Sequence, residues 1–66
     1  MNKVLFDSKV EGKGLKYTYL AKTLGISNQA LIRKRDGNIP FKVSEIKVLK
    51  GILELTDKDI CNIFFT

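Results

Sequence analysis

The segment LKYTYLAKTLGISNQALIRKRDGN, residues 15–38, contains the turn on which the fold depends. Apolar residues at helical spacing predict a helix in its first half, with one face formed by Leu15, Tyr19, Leu20 and Leu24. Gly25 ends this helix, because glycine accepts a left-handed backbone without steric cost. Ser27 can cap a second helix, which starts at about Asn28 and stops at Gly37. A turn of about three to four residues holds two such helices near a right angle.

The rest of the chain predicts three more helices and no pair of strands. The first has apolar residues at Val4, Leu5, Phe6 and Val10, and the fourth spans residues 44–55 with an apolar stripe of Ile46, Leu49, Ile52 and Leu53. Thr56 and Asp59 form a capping box that opens a last helix, whose buried face is Ile60, Ile63 and Phe64. The expected fold class is therefore all-α, with five helices in a single domain over residues 1–66.

The composition excludes several kinds of site. The 66 residues include one cysteine and no histidine, so neither an internal disulfide nor a Cys/His zinc site can form. Because the chain has no histidine and no paired carboxylates outside solvated turns, we expect neither an enzyme nor a cofactor or small-molecule substrate. Cys61 lies among apolar neighbours and is expected in the core. No apolar run suits a signal peptide or a membrane span, which favours the cytoplasm.

The net charge of +5 is distributed unevenly along the chain. Residues 12–35 contain no acidic residue and six basic ones, namely Lys13, Lys16, Lys22, Arg33, Lys34 and Arg35. In residues 51–66 the sign reverses, with Glu54, Asp57 and Asp59 against Lys58. Coulomb attraction and counterion release draw a basic block to a polyanion, which favours a nucleic acid as the partner. A solvated surface rich in lysine is the alternative explanation.

The helix that follows Ser27 carries residue types suited to DNA. Asn28 and Gln29 can each pair with adenine through a planar amide, although polar residues also favour any exposed first turn. Arg33 lies one turn beyond Gln29 and can reach guanine or a phosphate. Ile32 either contacts a thymine methyl group or turns inward. The predicted base contacts are Asn28, Gln29, Ile32 and Arg33, and the predicted phosphate contacts are Lys16, Tyr17, Lys22, Ser27, Lys34, Asn38 and Lys42.

Residues 15–38 resemble the helix-turn-helix of phage Cro and repressor proteins. The small, turn, core and cap positions of that motif match Ala21, Gly25, Ile26, Ser27 and Leu31. The resemblance continues through PFKVSEIKVLKGILELTDKDICNIFF, residues 40–65, which is similar to small Cro-like (XRE-type) regulators of phages and integrated elements in Gram-positive bacteria. The chain differs in having Lys34 and Arg35 where the family usually has an apolar residue, and Lys16 where a polar cap is common.

This resemblance implies a lambda-repressor-like bundle with its helix-turn-helix at about residues 16–36. It also implies a transcription regulator, monomeric or homodimeric, that binds a double-stranded DNA operator through the four base contacts given above. A protein-interaction module, or an antirepressor-type modulator that binds another regulator, is the alternative. For that function the exposed apolar patch would be Ile60, Ile63, Phe64 and Phe65, of which the two phenylalanines are otherwise core residues or a dimer contact.

Overall fold

Five α-helices make up most of the computed structural model, which describes residues 1–65. They are α1 (Lys3–Gly12), α2 (Tyr17–Leu24), α3 (Asn28–Arg35), α4 (Val43–Ile52) and α5 (Asp57–Phe64). No strand occurs in the described range, so the predicted all-α class is confirmed. α4 ends three residues earlier than predicted, ahead of a turn in which Glu54 has a φ of 52°. None of the five helices is long and apolar enough to cross a membrane.

Side-chain caps fix where three of the helices begin. The Asn2 side chain accepts a hydrogen bond from the Leu5 amide, and the Ser27 hydroxyl accepts one from the Ala30 amide, each at 3.0 Å. At α5 the predicted capping box is present, since Thr56 and Asp59 exchange side-chain to backbone hydrogen bonds. Lys16 precedes α2 without a capping bond, as expected for a side chain that has no acceptor.

Gly25 forms the corner between α2 and α3. Its φ of 72° lies in the left-handed region, where a side chain is strained. The next amide, that of Ile26, donates back to the carbonyl of Ala21 at 3.0 Å and closes the end of α2. Because Ile26 then packs against the core and Ser27 caps the following helix, α3 starts at Asn28 as predicted. The two helices that meet at this corner, α2 and α3, pack against each other.

The core gathers around Phe6 of α1. Its fully or nearly fully buried apolar members are Phe6, Val10, Leu20, Ala21, Leu31, Leu49, Leu53, Leu55 and Ile63. The ring of Phe6 contacts the rings of Phe41 and Phe64 at centroid distances of 6.0 and 6.3 Å. Phe64 therefore belongs to the core, whereas Phe65 is 71% exposed.

Three side chains predicted to lie on buried faces are exposed instead. On α2 the buried face includes Tyr17, so Tyr19, two residues further on, is 50% exposed. Val4 is exposed because Phe6 and Val10 define the inner face of α1. Cys61 is exposed as well, since it lies about 100° around α5 from Ile60 and beyond the edge of the apolar face.

Candidate nucleic-acid interface

One side of α3 is exposed along the whole helix. At about 100° per residue, its four predicted base contacts fall within an arc of about 140°. All four are exposed, namely Asn28, Gln29, Ile32 and Arg33. Ile32, for which an inward orientation was the alternative, is 40% exposed and lies between the polar residues of this arc. The arc thus presents two amides, one aliphatic side chain and one guanidinium group to solvent. We call it the exposed arc of α3.

The opposite side of α3 packs into the protein and includes a lysine. Leu31 is fully buried, and Lys34, one turn later, is only 7% exposed. The Lys34 ammonium donates a 2.7 Å hydrogen bond to Oε1 of Glu45 in α4, and it lies 5.8 Å from the centre of the Phe41 ring. The position of Lys34 argues against the predicted phosphate contact, because its charge is buried and already paired.

Arg35 is also held within the fold. Its guanidinium lies 5.5 Å from the centre of the Tyr17 ring and donates to the Tyr17 hydroxyl at 3.4 Å. It also donates to the Asp36 carboxylate at 2.9 Å and lies 3.9 Å from a carboxylate oxygen of Asp7. The Tyr17 ring packs edge-on against Phe6. Tyr17 is thus half-buried with its hydroxyl engaged, so the predicted phosphate contact at Tyr17 is not supported by its position.

The carboxylate of Glu45 is stabilised in its ionised form. Burial by itself raises the pKa of Glu45, but hydrogen bonds from the Lys34 ammonium and the Lys42 amide, together with both positive charges, lower it below the ordinary 4.5. The Lys42 amide donates to Glu45 Oε1 at 2.8 Å, which is one arm of a capping box at the start of α4. Glu45 therefore compensates the positive charge of Lys34 and, at the same time, accepts the amide that precedes α4.

The remaining ion pairs neutralise further charges on the surface, one of them at Asp36, the residue that ends α3. Within residues 1–65 they join Lys3 to Asp36, Lys9 to Asp59, Lys13 to Glu54 and Lys50 to Asp57. In the same range, the basic residues with no carboxylate oxygen within 4.0 Å are Lys16, Lys22, Arg33, Lys42, Lys47 and Lys58. Four of these six are predicted DNA contacts, and all four are exposed. The other two predicted phosphate contacts, Ser27 and Asn38, are exposed at the two ends of α3.

Two clefts lie on the surface of the described residues. The first, of about 260 Å³, has mainly apolar walls that include Ile39, Pro40 and Phe65. The second, of about 290 Å³, lies beside Asp7, Tyr17 and Arg35. In residues 1–65 no three cysteine, aspartate or glutamate side chains gather in a group that could hold a metal ion.

No protein-family model, curated protein or solved structure matches this chain.

The sequence analysis did not single out Glu45 as a residue of this region, although two features of the sequence pointed to it. Lys34 follows Leu31 by three residues and so falls on the buried side of α3, where a cation requires an acidic partner. Glu45 stands in the first turn of α4, where a carboxylate is favoured by the helix dipole.

Proposed function

We propose that this protein is a sequence-specific regulator of transcription that binds duplex DNA by placing α3 in the major groove, in the manner of a Cro-like phage repressor. The observation that carries the proposal is the exposed arc of α3. Its four side chains project from a helix whose opposite side is packed into the core and held by Lys34 and Arg35. A helix supported in this way can enter a groove about 12 Å wide without losing its own packing.

The chemistry of the exposed arc suits base edges. Each amide, on Asn28 and Gln29, offers one donor and one acceptor, which match N7 and N6 of adenine. The guanidinium of Arg33 matches the two acceptors of guanine, and the methyl groups of Ile32 suit a thymine methyl. Each such amide or guanidinium pair gives about 1 to 3 kcal/mol of discrimination between bases. The arc therefore supports a short recognition sequence of a few base pairs.

Cations on both neighbouring helices would hold α3 in register. Lys16 and Lys22 lie at the two ends of α2, and Lys42 precedes α4. In a helix-turn-helix the first helix crosses the DNA backbone, where α2 would bring these two lysines to phosphates. Ser27 and Asn38 would add neutral hydrogen bonds to the backbone. Phosphate contacts of this kind give affinity and orientation without sequence preference.

Two copies would extend the recognition sequence to two half-sites about one helical turn apart, whereas a monomer would bind a single half-site.

The exposed ring of Phe65 supports a homodimer. It equally supports a second candidate function, in which the protein is a module that binds another regulator. Phe65 is 71% exposed at the wall of the apolar cleft beside Ile39. An exposed aromatic ring at an apolar cleft is typical of a protein contact. In each of these proposals the chain acts by binding and catalyses no reaction.

The test is selection of bound duplexes from a random pool, followed by gel shifts of the selected duplex over a salt series. We expect a short consensus sequence. The logarithm of the association constant should fall linearly with the logarithm of the salt concentration, with a slope of about −0.9 for each phosphate contact. Sedimentation of the complex counts the subunits. Absence of duplex affinity even at low salt would reject DNA binding and leave the protein-interaction module.

A further inference from the structure

The three consecutive basic residues at the end of α3 have three different environments. Arg33 belongs to the exposed arc, with no carboxylate within 4.0 Å in the described residues. Lys34 is paired with Glu45 of α4, and Arg35 reaches Asp7 of α1 and Tyr17 of α2. Since successive residues are about 100° apart on a helix, the last turn of α3 is connected to all three of these helices. The first turn of α3, residues 28–31, has no charged side chain and so makes no ion pair with a neighbouring helix.

Among these connections, the Lys34–Glu45 pair is the best suited to set the orientation of α3. Both side chains are nearly completely buried, at 8% and 7% exposure, and the ammonium nitrogen lies 2.7 Å from Oε1. The same oxygen accepts the Lys42 amide at 2.8 Å, which fixes the carboxylate against the backbone at the start of α4. A hydrogen-bonded ion pair constrains both distance and direction, whereas two aliphatic side chains at these positions could slide past each other.

Stability alone does not account for a pair of this kind. Removing two charges from water costs several kcal/mol per ion, and apolar residues of similar volume often stabilise a fold equally well or better. A buried polar pair can instead select one packing arrangement among several. Here the arrangement concerned is the position of α3 relative to α4, and α3 carries the whole exposed arc.

We propose that Lys34 and Glu45 are positioning residues that set the pose of the exposed arc on DNA, and so contribute to sequence preference without touching the DNA. This inference rests on the proposed function. It assigns the RKR run to two tasks, with Arg33 contacting DNA while Lys34 holds the helix that presents it.

The decisive variant is Lys34→Met/Glu45→Gln. Methionine keeps the length and apolar stem of Lys34, and glutamine retains an oxygen that can accept the Lys42 amide. The matched control, Lys50→Met/Asp57→Asn, removes an exposed ion pair between α4 and α5. Each double variant removes one positive and one negative charge, so each keeps the net charge of +5. A difference in DNA binding between the two double variants therefore reflects where the lost ion pair lies and not a change in net charge.

We expect the buried double variant to lose about tenfold in the ratio of selected to random duplex affinity, equivalent to weakening one base contact. Its affinity for random duplexes and its salt slope should match those of the control. A second variant, Glu45→Asp, covers the case in which the double variant folds poorly. It keeps both charges and shortens the side chain by one methylene, and it should lose part of the affinity ratio. Unchanged ratios in both variants would overturn the inference and leave the proposed function standing.

A measurement on the free protein separates the two proposals. The amides of Asp36 and Asn38 donate to the carbonyls of Ile32 and Arg33 at the end of α3. In the variant without the buried pair, we expect hydrogen exchange at these two amides to be about tenfold faster than global unfolding of that variant alone would give. The excess would report local opening at the end of α3. The control variant should show no such excess. If the wild-type protein has no preferred sequence, the proposed function fails, and equal exchange in the two variants then also rejects the positioning role.

Discussion

Replacing Lys34 with methionine leaves the Glu45 carboxylate buried and, within residues 1–65, with the Lys42 amide as its one remaining hydrogen-bond donor. Breaking a buried pair by removing one partner costs about 3 to 5 kcal/mol, because the other charge is left without compensation. A chain of 66 residues has a total stability of about 3 to 10 kcal/mol. The single variant Lys34→Met should therefore lose a large part of its stability at pH 7, far more than the exposed control Lys50→Met.

The same variant also predicts how the loss depends on pH. In the wild-type protein the pKa of Glu45 is lowered, so its contribution is present above the ordinary value of 4.5 and is lost as the pH falls through the lower folded value. Removal of Lys34 takes away a hydrogen bond and a charge that lower this pKa, so the pKa of Glu45 rises relative to the wild type. Protonation then relieves the buried charge at a higher pH in the variant. The stability difference between variant and wild type should accordingly shrink on acidification.

Urea titrations at pH 7 and at several values below 4.5 measure this difference, with trimethylamine N-oxide added to both proteins to keep the variant folded. The lowered pKa values of Asp57 and Asp59 affect both proteins alike and cancel in the comparison. A Lys34→Met midpoint equal to that of the wild type at pH 7, or a difference that grows on acidification, would refute this account of the pair.

Three further predictions concern the exposed arc, the phosphate contacts and the core. Gln29→Ala should lower the ratio of operator to random-DNA affinity by about 1 to 3 kcal/mol, and an unchanged ratio in a competition gel shift would contradict the assignment. Lys22→Ala should weaken all duplexes alike and reduce the salt slope by about 0.9, with Lys58→Ala as a control of equal charge change that should have a smaller effect. Leu49→Ala should cost about 2 to 5 kcal/mol because Leu49 is fully buried, whereas the partly exposed Val48→Ala should cost much less. A denaturation midpoint for Leu49→Ala near that of the wild type would remove α4 from the centre of the fold.

Local sequence signals determined several of the helix ends. Gly25, Ser27 and the Thr56 capping box act through hydrogen bonds and backbone angles within a few residues, so their effects follow from the sequence directly. The all-α class follows for the same reason, because spacing of three and four residues is a property of each helix by itself. The exposure of Asn28 and Gln29 was predicted from their place in the first turn of α3.

Tertiary packing decided which side of each short helix faces inward. An eight-residue helix such as α2 offers two apolar faces that overlap, and contact between Tyr17 and Phe6 selected the one that leaves Tyr19 outside. The spacing from Leu31 places Lys34 on the buried side of α3, but it does not by itself bring a partner to the charge. Only the approach of Glu45, from a helix eleven residues along the chain, buried the charge of Lys34 and left Arg33 in solvent. A charge is assigned to core or surface by the partner that folding brings to it, and that partner is not a local property of the sequence.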